Sequence, residues 1–180
     1  ALTIARDLQI RMEDLAAQAV RHRGDKLQIA LMVADHRTGE ILASVGSSAY
    51  TSDAREGFVD MTQALRSPGS TLKPLVYGLA FDRGLVHPET LIADRPVDFD
   101  GYRPQNFDGL WRGELPVRDA LRLSLNVPVV SLTHALGPDH LIAGLRRAGV
   151  EPVLPGGRPG LAISLGGMGL RLEDLVALYG

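Results

Sequence analysis

Strand-forming sequence is confined to one short region near the start of the chain. Residues 27–34 and 41–45 are apolar runs rich in Leu, Ile and Val, and the segment 36–39 between them ends in glycine. Two apolar runs joined by a glycine-containing turn predict a β-hairpin. A lone hairpin is unstable in water, so its sheet must contain further strands that the sequence pattern does not reveal.

Helical periodicity dominates the rest of the chain. Apolar residues spaced by three and four positions predict an N-terminal helix that ends near Arg23 and Gly24. The further predicted helices are residues 59–65, residues 70–83, residues 117–123, a helix opened by Pro128 and closed by Gly137, residues 139–148, and a final helix through residues 170–179. Irregular structure is predicted for residues 86–115 and 151–160. One hairpin followed by many helices predicts an α+β domain.

Composition excludes several classes of protein. The 180 residues are 45% hydrophobic and 22% charged, as in one ordinary globular domain. The net charge of −2, without a basic run, argues against a nucleic-acid surface, and no apolar run is long enough to span a membrane. The chain has no cysteine, which excludes disulfides and thiol catalysis, and its five histidines lack metal-ligand spacing. No metal site and no cofactor are predicted.

Pro74 fixes where one helix can begin. Proline is tolerated only in the first turn of a helix, so this helix must start close to Ser70. The Ser70 hydroxyl then lies near the positive end of the helix, and the Lys73 amine lies on the same face. A serine nucleophile needs an adjacent base, and a lysine can act as one when burial lowers its pKa. The same spacing also fits a helix-capping serine beside a solvated lysine.

Ser124 and Asn126 form a second candidate pair. They lie between a short predicted helix and the helix opened by Pro128, so a loop is predicted there. Side chains two residues apart in a loop can point into one cleft, where a hydroxyl can relay a proton and an amide can hold a carbonyl. Taken alone, both residues also fit ordinary turn positions.

The two pairs occur in the order of a known signature. Ser-x-x-Lys followed by Ser-x-Asn is typical of penicillin-binding proteins and serine β-lactamases. Residues 66–74 resemble the acylation-site segment of class A penicillin-binding proteins, and residues 106–109 and 120–128 resemble the approach to their second motif. Residues 2–9 and 164–167 are also similar to that family. The likeness covers nearly the whole chain and is greatest to the 1C type, although the family usually has an acid where Ala5 stands.

The resemblance implies a fold, a reaction and a location. The fold would be the penicillin-binding, β-lactamase-like α+β fold, with an antiparallel sheet between helical layers. The reaction would be D,D-transpeptidation, which cross-links the stem peptides of peptidoglycan, and β-lactams would acylate the same serine. Ser70 would be the nucleophile, Lys73 its base, Ser124 a proton relay and Asn126 a substrate ligand. The protein would act in the periplasm, on the outer face of the cytoplasmic membrane.

One family motif is absent from the sequence. The family has a third motif, Lys-Thr-Gly or a close variant, on a later strand, whereas the second lysine here, Lys26, is followed by Leu27 and Gln28. We therefore expect residues 1–180 to be the N-terminal part of a transpeptidase domain. The third-motif strand would follow, and a glycosyltransferase domain with a membrane anchor would precede.

The sequence leaves open one structural consequence and two alternative functions. A sheet that lacks strands exposes an edge, so the chain is expected to self-associate. A serine β-lactamase or a β-lactam sensor shares the first two motifs and is the alternative within the superfamily. A catalytically silent binding or scaffold module of the same fold is the alternative from another class. By the resemblance, the third-motif strand would supply part of the oxyanion hole, and an incomplete oxyanion hole weakens catalysis.

Overall fold

The structure, a computed structural model, describes residues 2–23, 26–50 and 57–180. The chain divides into two compact units. Unit 1 comprises Ala1–Arg66 and Leu170–Gly180, and unit 2 comprises Ser67–Gly169. All four predicted site residues belong to unit 2.

Unit 1 is built around an antiparallel hairpin. Its elements are α1 (Arg6–Val20), β1 (Leu31–Ala34), β2 (Ile41–Val45) and α6 (Leu172–Tyr179). The turn between the strands closes when the Gly39 N–H donates to the Asp35 carbonyl at 2.8 Å, with Gly39 at a φ of 73° that favours glycine.

The free edge of β2 is covered by the start of the chain. The Gln9 amide on α1 accepts from the Ser44 N–H at 2.8 Å and donates to the Ser44 carbonyl at 2.9 Å, so a side chain completes the pairing that a strand would otherwise make. The Ala5 N–H also donates to the Leu42 carbonyl at 2.9 Å. The hairpin is therefore stabilised by α1 on one edge.

The predictions for unit 1 are confirmed for the hairpin and corrected elsewhere. The helix predicted at 59–65 is wrong, because residues 57–66 form turns. Asp60 Oδ1 accepts from both the N–H and the hydroxyl of Thr62, at 2.9 and 2.6 Å, and this local pairing competes with a helix. Helix α1 ends at Val20, before Arg23, and the predicted terminal Gly24 lies outside the described residues.

Unit 2 is mostly helical. Its elements are a 3₁₀ turn (Gly69–Leu72), α2 (Lys73–Asp82), β3 (Leu91–Asp94), β4 (Gly113–Pro116), α3 (Val117–Arg122), α4 (Asn126–Leu136), α5 (Pro138–Arg147) and 3₁₀ turns at Pro155–Gly157 and Leu161–Leu165. Helix α4 packs against α2, α3, α5 and the turn at Leu161–Leu165. Its residues Val127, Val129 and Val130 are at most 1% exposed, so α4 forms the centre of the unit 2 core.

The structure corrects three predictions in unit 2. Strands β3 and β4 pair as a second antiparallel hairpin inside the region predicted to be irregular. Helix α4 begins at Asn126, so Pro128 is its third residue, where a missing N–H still costs nothing. The helix predicted from residue 70 begins as an α-helix only at Lys73, after the 3₁₀ turn that carries Ser70.

The α+β class is confirmed by these elements and by the structural comparisons given below. The strands of the described residues form two separate two-stranded antiparallel sheets, one in each unit.

Candidate active site

Ser70 is held on a tightly packed turn. It is exposed and lies in the 3₁₀ turn that precedes α2. Behind it, the Ser67 hydroxyl donates to the Gly166 carbonyl at 2.6 Å. A Cβ at Gly166 would lie 2.3 Å from the Gly69 nitrogen, so only glycine fits there. The Ser70 hydroxyl makes no hydrogen bond within the part of the chain that the structure describes.

Lys73 is the buried cation of the site. Its side chain is 1% exposed, and its amine donates to the Ser124 carbonyl at 2.5 Å, the Ser124 hydroxyl at 3.1 Å and the Asn126 Oδ1 at 2.7 Å. Burial lowers the pKa of Lys73 to about 8, because removing water disfavours the charged amine. All three acceptors are uncharged oxygens, and the amine forms no ion pair with any described residue.

Ser124 adopts an unusual backbone conformation that serves this contact. Its φ is 53°, in the left-handed region that residues with a side chain rarely occupy. Both its carbonyl and its hydroxyl contact the Lys73 amine. Strained residues of this kind occur where surrounding structure requires them, often at functional sites.

Asn126 is the first residue of α4 and links the amine to a neighbouring loop. Its Oδ1 accepts from Lys73, while its Nδ2 donates to the Gln105 carbonyl at 2.7 Å. Its backbone N–H donates to Asn106 Oδ1 at 2.8 Å. This last bond satisfies one of the free N–H groups at the start of the helix.

The structure brings three of the four predicted residues together. Lys73, Ser124 and Asn126 form one hydrogen-bonded cluster. Ser70 lies three residues before Lys73, but its hydroxyl is not hydrogen-bonded to the amine. Catalytic hydrogen bonds are often long in unliganded sites, and this arrangement leaves Ser70 accessible.

Sequence reasoning missed the residues that support this cluster. Asp94 is fully buried at the end of β3, and Asn106 is 6% exposed between β3 and β4. The segment that begins at Asn106 stands out only through its family resemblance, and nothing in the sequence distinguishes Asp94 from the other acids of this region. Their roles depend on burial and on the unpredicted hairpin.

The described residues contain neither a metal-binding cluster nor a membrane-spanning helix. No group of three or more histidine and acidic residues there could hold a metal ion. None of the described helices is long and apolar enough to cross a membrane.

The comparisons with known proteins agree on one family. The family model named penicillin-binding protein transpeptidase domain matches residues 29–164 of the sequence. Penicillin-binding protein 1C of Escherichia coli (strain K12) is 43% identical over 178 residues, which are 98% of this chain and 23% of that protein. The chain belongs to the penicillin-binding protein transpeptidase family.

Further relatives place the chain among the class A members. Penicillin-binding protein 1B of Vibrio cholerae is 36% identical over 154 residues, covering 80% of this chain and 19% of the relative. The chain thus spans about a quarter or less of the length of these curated relatives. The predicted resemblance to class A penicillin-binding proteins, and to a 1C protein among them, is confirmed.

Solved structures show the same fold. The penicillin-binding protein PonA1 of Mycobacterium tuberculosis matches with a TM-score of 0.80 and 24% identity, over 98% of this chain and 48% of that one. The same protein in complex with penicillin V matches with a TM-score of 0.79. This agreement confirms the penicillin-binding transpeptidase fold.

Proposed function

We propose that the chain supplies the nucleophile and base of a peptidoglycan D,D-transpeptidase that works through an acyl-serine intermediate. The observation that carries this proposal is the buried Lys73 amine, which is held by Ser124 and Asn126 one turn beyond an exposed Ser70. A lysine amine with a pKa of about 8 is partly neutral at physiological pH and can accept a proton.

In the first half-reaction, Lys73 acts as the general base. The neutral amine accepts the Ser70 proton while the serine oxygen forms a bond to the carbonyl carbon of the terminal D-alanyl-D-alanine peptide. The resulting tetrahedral intermediate collapses, and the C–N bond breaks. The proton returns to the departing D-alanine nitrogen through Ser124, which is hydrogen-bonded to the Lys73 amine.

In the second half-reaction, an amine from another stem peptide replaces the departing D-alanine. Its nitrogen attacks the acyl carbon and gives its proton to the Lys73 amine. The ester C–O bond to Ser70 then breaks, and the serine oxygen takes that proton from Lys73, which restores the free hydroxyl. Asn126 binds the substrate in this scheme, although its Oδ1 contacts Lys73 in the unliganded site. Substrate binding would therefore shift the contacts of the amide.

β-Lactams are the second proposed class of ligand. They acylate the same serine, because their strained amide presents a carbonyl carbon to the nucleophile. The penicillin V complex described for the protein of Mycobacterium tuberculosis, which shares the fold, supports this proposal.

The chain is also proposed to be one part of a larger enzyme. The Lys-Thr-Gly motif is absent from the 180 residues, so we propose that residues 1–180 form the N-terminal part of the transpeptidase domain. A glycosyltransferase domain and a membrane anchor would precede it, and the site would face the periplasm. The short matched share of the curated relatives, 23% for the 1C protein, supports this proposal.

The test is the intact mass of the chain after incubation with a penicillin, beside Ser70→Ala. An adduct of one penicillin mass on the wild type alone supports Ser70 as the nucleophile. The same measurement on a chain extended through a third-motif strand separates a missing motif from a wrong assignment. An extended wild type without an adduct would contradict the proposal and favour the silent scaffold. Rapid loss of the adduct would favour a β-lactamase.

Self-association of the isolated chain is a separate proposal. Among the described residues, strand β1 of unit 1 pairs with β2 alone, which supports pairing of its other edge with a second copy. Light scattering across a wide concentration range tests it. A mass that rises with concentration is expected, and a constant monomer mass would contradict it.

A further inference from the structure

Asp94 is a buried carboxylate outside the predicted catalytic set. It is fully buried at the end of β3, and it makes no ion pair within residues 2–23, 26–50 and 57–180. Its oxygens accept from the side-chain Nδ2 of Asn106 at 2.8 and 2.9 Å, and from the backbone N–H of Arg112 at 2.9 Å. The Arg112 guanidinium interacts with Asp94 electrostatically but pairs directly with Asp108. A buried carboxylate without an ion pair of its own is costly to the folded state, so its presence requires an explanation.

The carboxylate fixes the orientation of the Asn106 amide. Asn106 Nδ2 donates to Asp94 and to the Leu110 carbonyl, the latter at 2.8 Å, so both of its protons are used. Its Oδ1 is left facing the Asn126 N–H, which donates to it at 2.8 Å. If the Asn106 amide were flipped, its oxygen would face the Asp94 carboxylate and its NH₂ would face the Asn126 N–H. Asp94 therefore allows one orientation only.

The effect extends from Asn106 to the Lys73 amine. The Asn106 oxygen accepts from the backbone N–H of Asn126, the first residue of α4. The side-chain Oδ1 of the same Asn126 accepts from the Lys73 amine at 2.7 Å. We propose that Asp94 is a positioning residue which, through Asn106, holds Asn126 against the amine of Lys73. Its importance for the reaction rests on the proposed function, whereas its effect on the amine does not.

The neighbouring acids do not share this arrangement. Asp98, in the same loop, is exposed and pairs with Arg103 at 2.8 Å. Asp108 forms an ion pair with Arg112 at the surface. Both have a guanidinium partner, and neither carboxylate is hydrogen-bonded to the Asn106 side chain, so Asp98 offers a matched control for Asp94.

Three substitutions test the proposal. In Asp94→Asn, the new amide NH₂ must face another donor in either orientation: the Asn106 Nδ2 in one and the Arg112 N–H in the other. In the exchange variant Asp94→Asn with Asn106→Asp, donor and acceptor trade places between the two side chains and the Asn126 N–H keeps an acceptor, while the Leu110 carbonyl loses its donor. Asn106→Ser leaves the Asp94 charge in place, but the serine is too short to contact both Asp94 and the Asn126 N–H. This variant therefore separates the effect of positioning from the effect of charge. Asp98→Asn is the control.

The readout is the titration of Lys73 in the chain itself, followed by NMR with ¹³Cε-labelled lysine. Lys26 is the second lysine of the sequence and is exposed, so two signals are expected and Lys26 serves as the reference. Losing the Asn126 oxygen removes an acceptor that stabilises the charged amine. Asp94→Asn and Asn106→Ser are expected to lower the Lys73 midpoint by about 0.5–1 pH unit. The exchange variant is expected to restore at least the wild-type midpoint.

The opposite outcomes would overturn the proposal. If either folded single variant melts at a lower temperature but leaves the Lys73 midpoint unchanged, the role of Asp94 is purely structural. A rise of the midpoint in either single variant would also contradict positioning. An exchange variant that melts at the wild-type temperature but does not restore the midpoint would contradict it as well. The titration requires no acylation, so a chain that penicillin does not modify would count against the proposed function alone.

Discussion

The two lysines of the chain illustrate how differently the two units treat a charged side chain. Lys26 in unit 1 is exposed, whereas Lys73 in unit 2 is 1% exposed and is held by three uncharged oxygens. Unit 1 is formed by a half-buried hairpin whose edge is completed by the Gln9 amide. Unit 2 has a helical core deep enough to bury an amine.

This difference indicates which unit can contain a lysine that acts as a base. A lysine becomes a base near neutral pH only when burial opposes its charge, and burial on this scale requires a packed core. Nearly all of the largest fully buried side chains among the described residues lie in unit 2. We therefore expect unit 1 to contribute to the fold and unit 2 to supply the reactive groups.

The largest expected effect separates the two lysines. Lys73→Met keeps an apolar chain of similar length to the lysine stem but removes the amine. Because the base is lost, acylation by penicillin should slow by about 10³-fold. Lys26→Met is the matched control and should leave the rate unchanged. Stopped-flow or intact-mass kinetics on the extended chain measures both. Equal losses in the two variants would contradict the division between the units.

A second prediction compares the packing of the units. Leu145 in unit 2 is fully buried, whereas Leu15 in unit 1 is 49% exposed. Leu145→Ala should lower the free energy of unfolding by about 3 kcal/mol, since it leaves a cavity. Leu15→Ala should lower it by less than about 1 kcal/mol. Urea denaturation measures both values, and similar losses would show that the packing of the units does not differ as described.

Sequence patterns predicted the parts of the molecule that depend on local order. The first hairpin and most helices follow from apolar spacing, and Pro74 correctly places a helix start near Ser70. The second hairpin was missed because β3 and β4 have four residues each and are separated by a long polar loop. Local propensity cannot identify strands this short, since their pairing is set by tertiary contacts.

The candidate site was predicted in part for the same reason. Lys73, Ser124 and Asn126 could be named because their spacing matches a motif whose chemistry is understood. Asp94 and Asn106 could not, because their roles follow from burial and amide orientation. The sequence places Asn106 twenty residues before Asn126, and only the folded chain shows the bond between them.

A third prediction concerns pH. Because burial lowers the pKa of Lys73 to about 8, the neutral base should increase as pH rises through that value. About a tenth of the amine is neutral at pH 7 and about half at pH 8, so acylation should accelerate about fivefold over this interval and level off above pH 9. Stopped-flow rates with a pH-stable β-lactam measure the profile. A rate that is flat from pH 6 to 9 would contradict Lys73 as the base.

The smallest expected effect is at a buried hydroxyl one turn beyond Lys73. Tyr77 is fully buried, and its hydroxyl has no hydrogen-bond partner in the described part of the chain. Burial and the charge of Asp94 raise the pKa of Tyr77, which keeps the phenol neutral. Tyr77→Phe should therefore change the free energy of unfolding by less than about 0.5 kcal/mol. A loss above about 1.5 kcal/mol in thermal denaturation would show that the hydroxyl has a structural partner.

The titration of wild-type Lys73 tests the central claim most directly. With ¹³Cε-labelled lysine, the chain has only two lysine signals, and Lys73→Met assigns them. The buried amine described here predicts a midpoint near pH 8 for the signal that disappears in the variant. A midpoint near the ordinary lysine value of about 10.4 would contradict the claim that unit 2 converts Lys73 into a base.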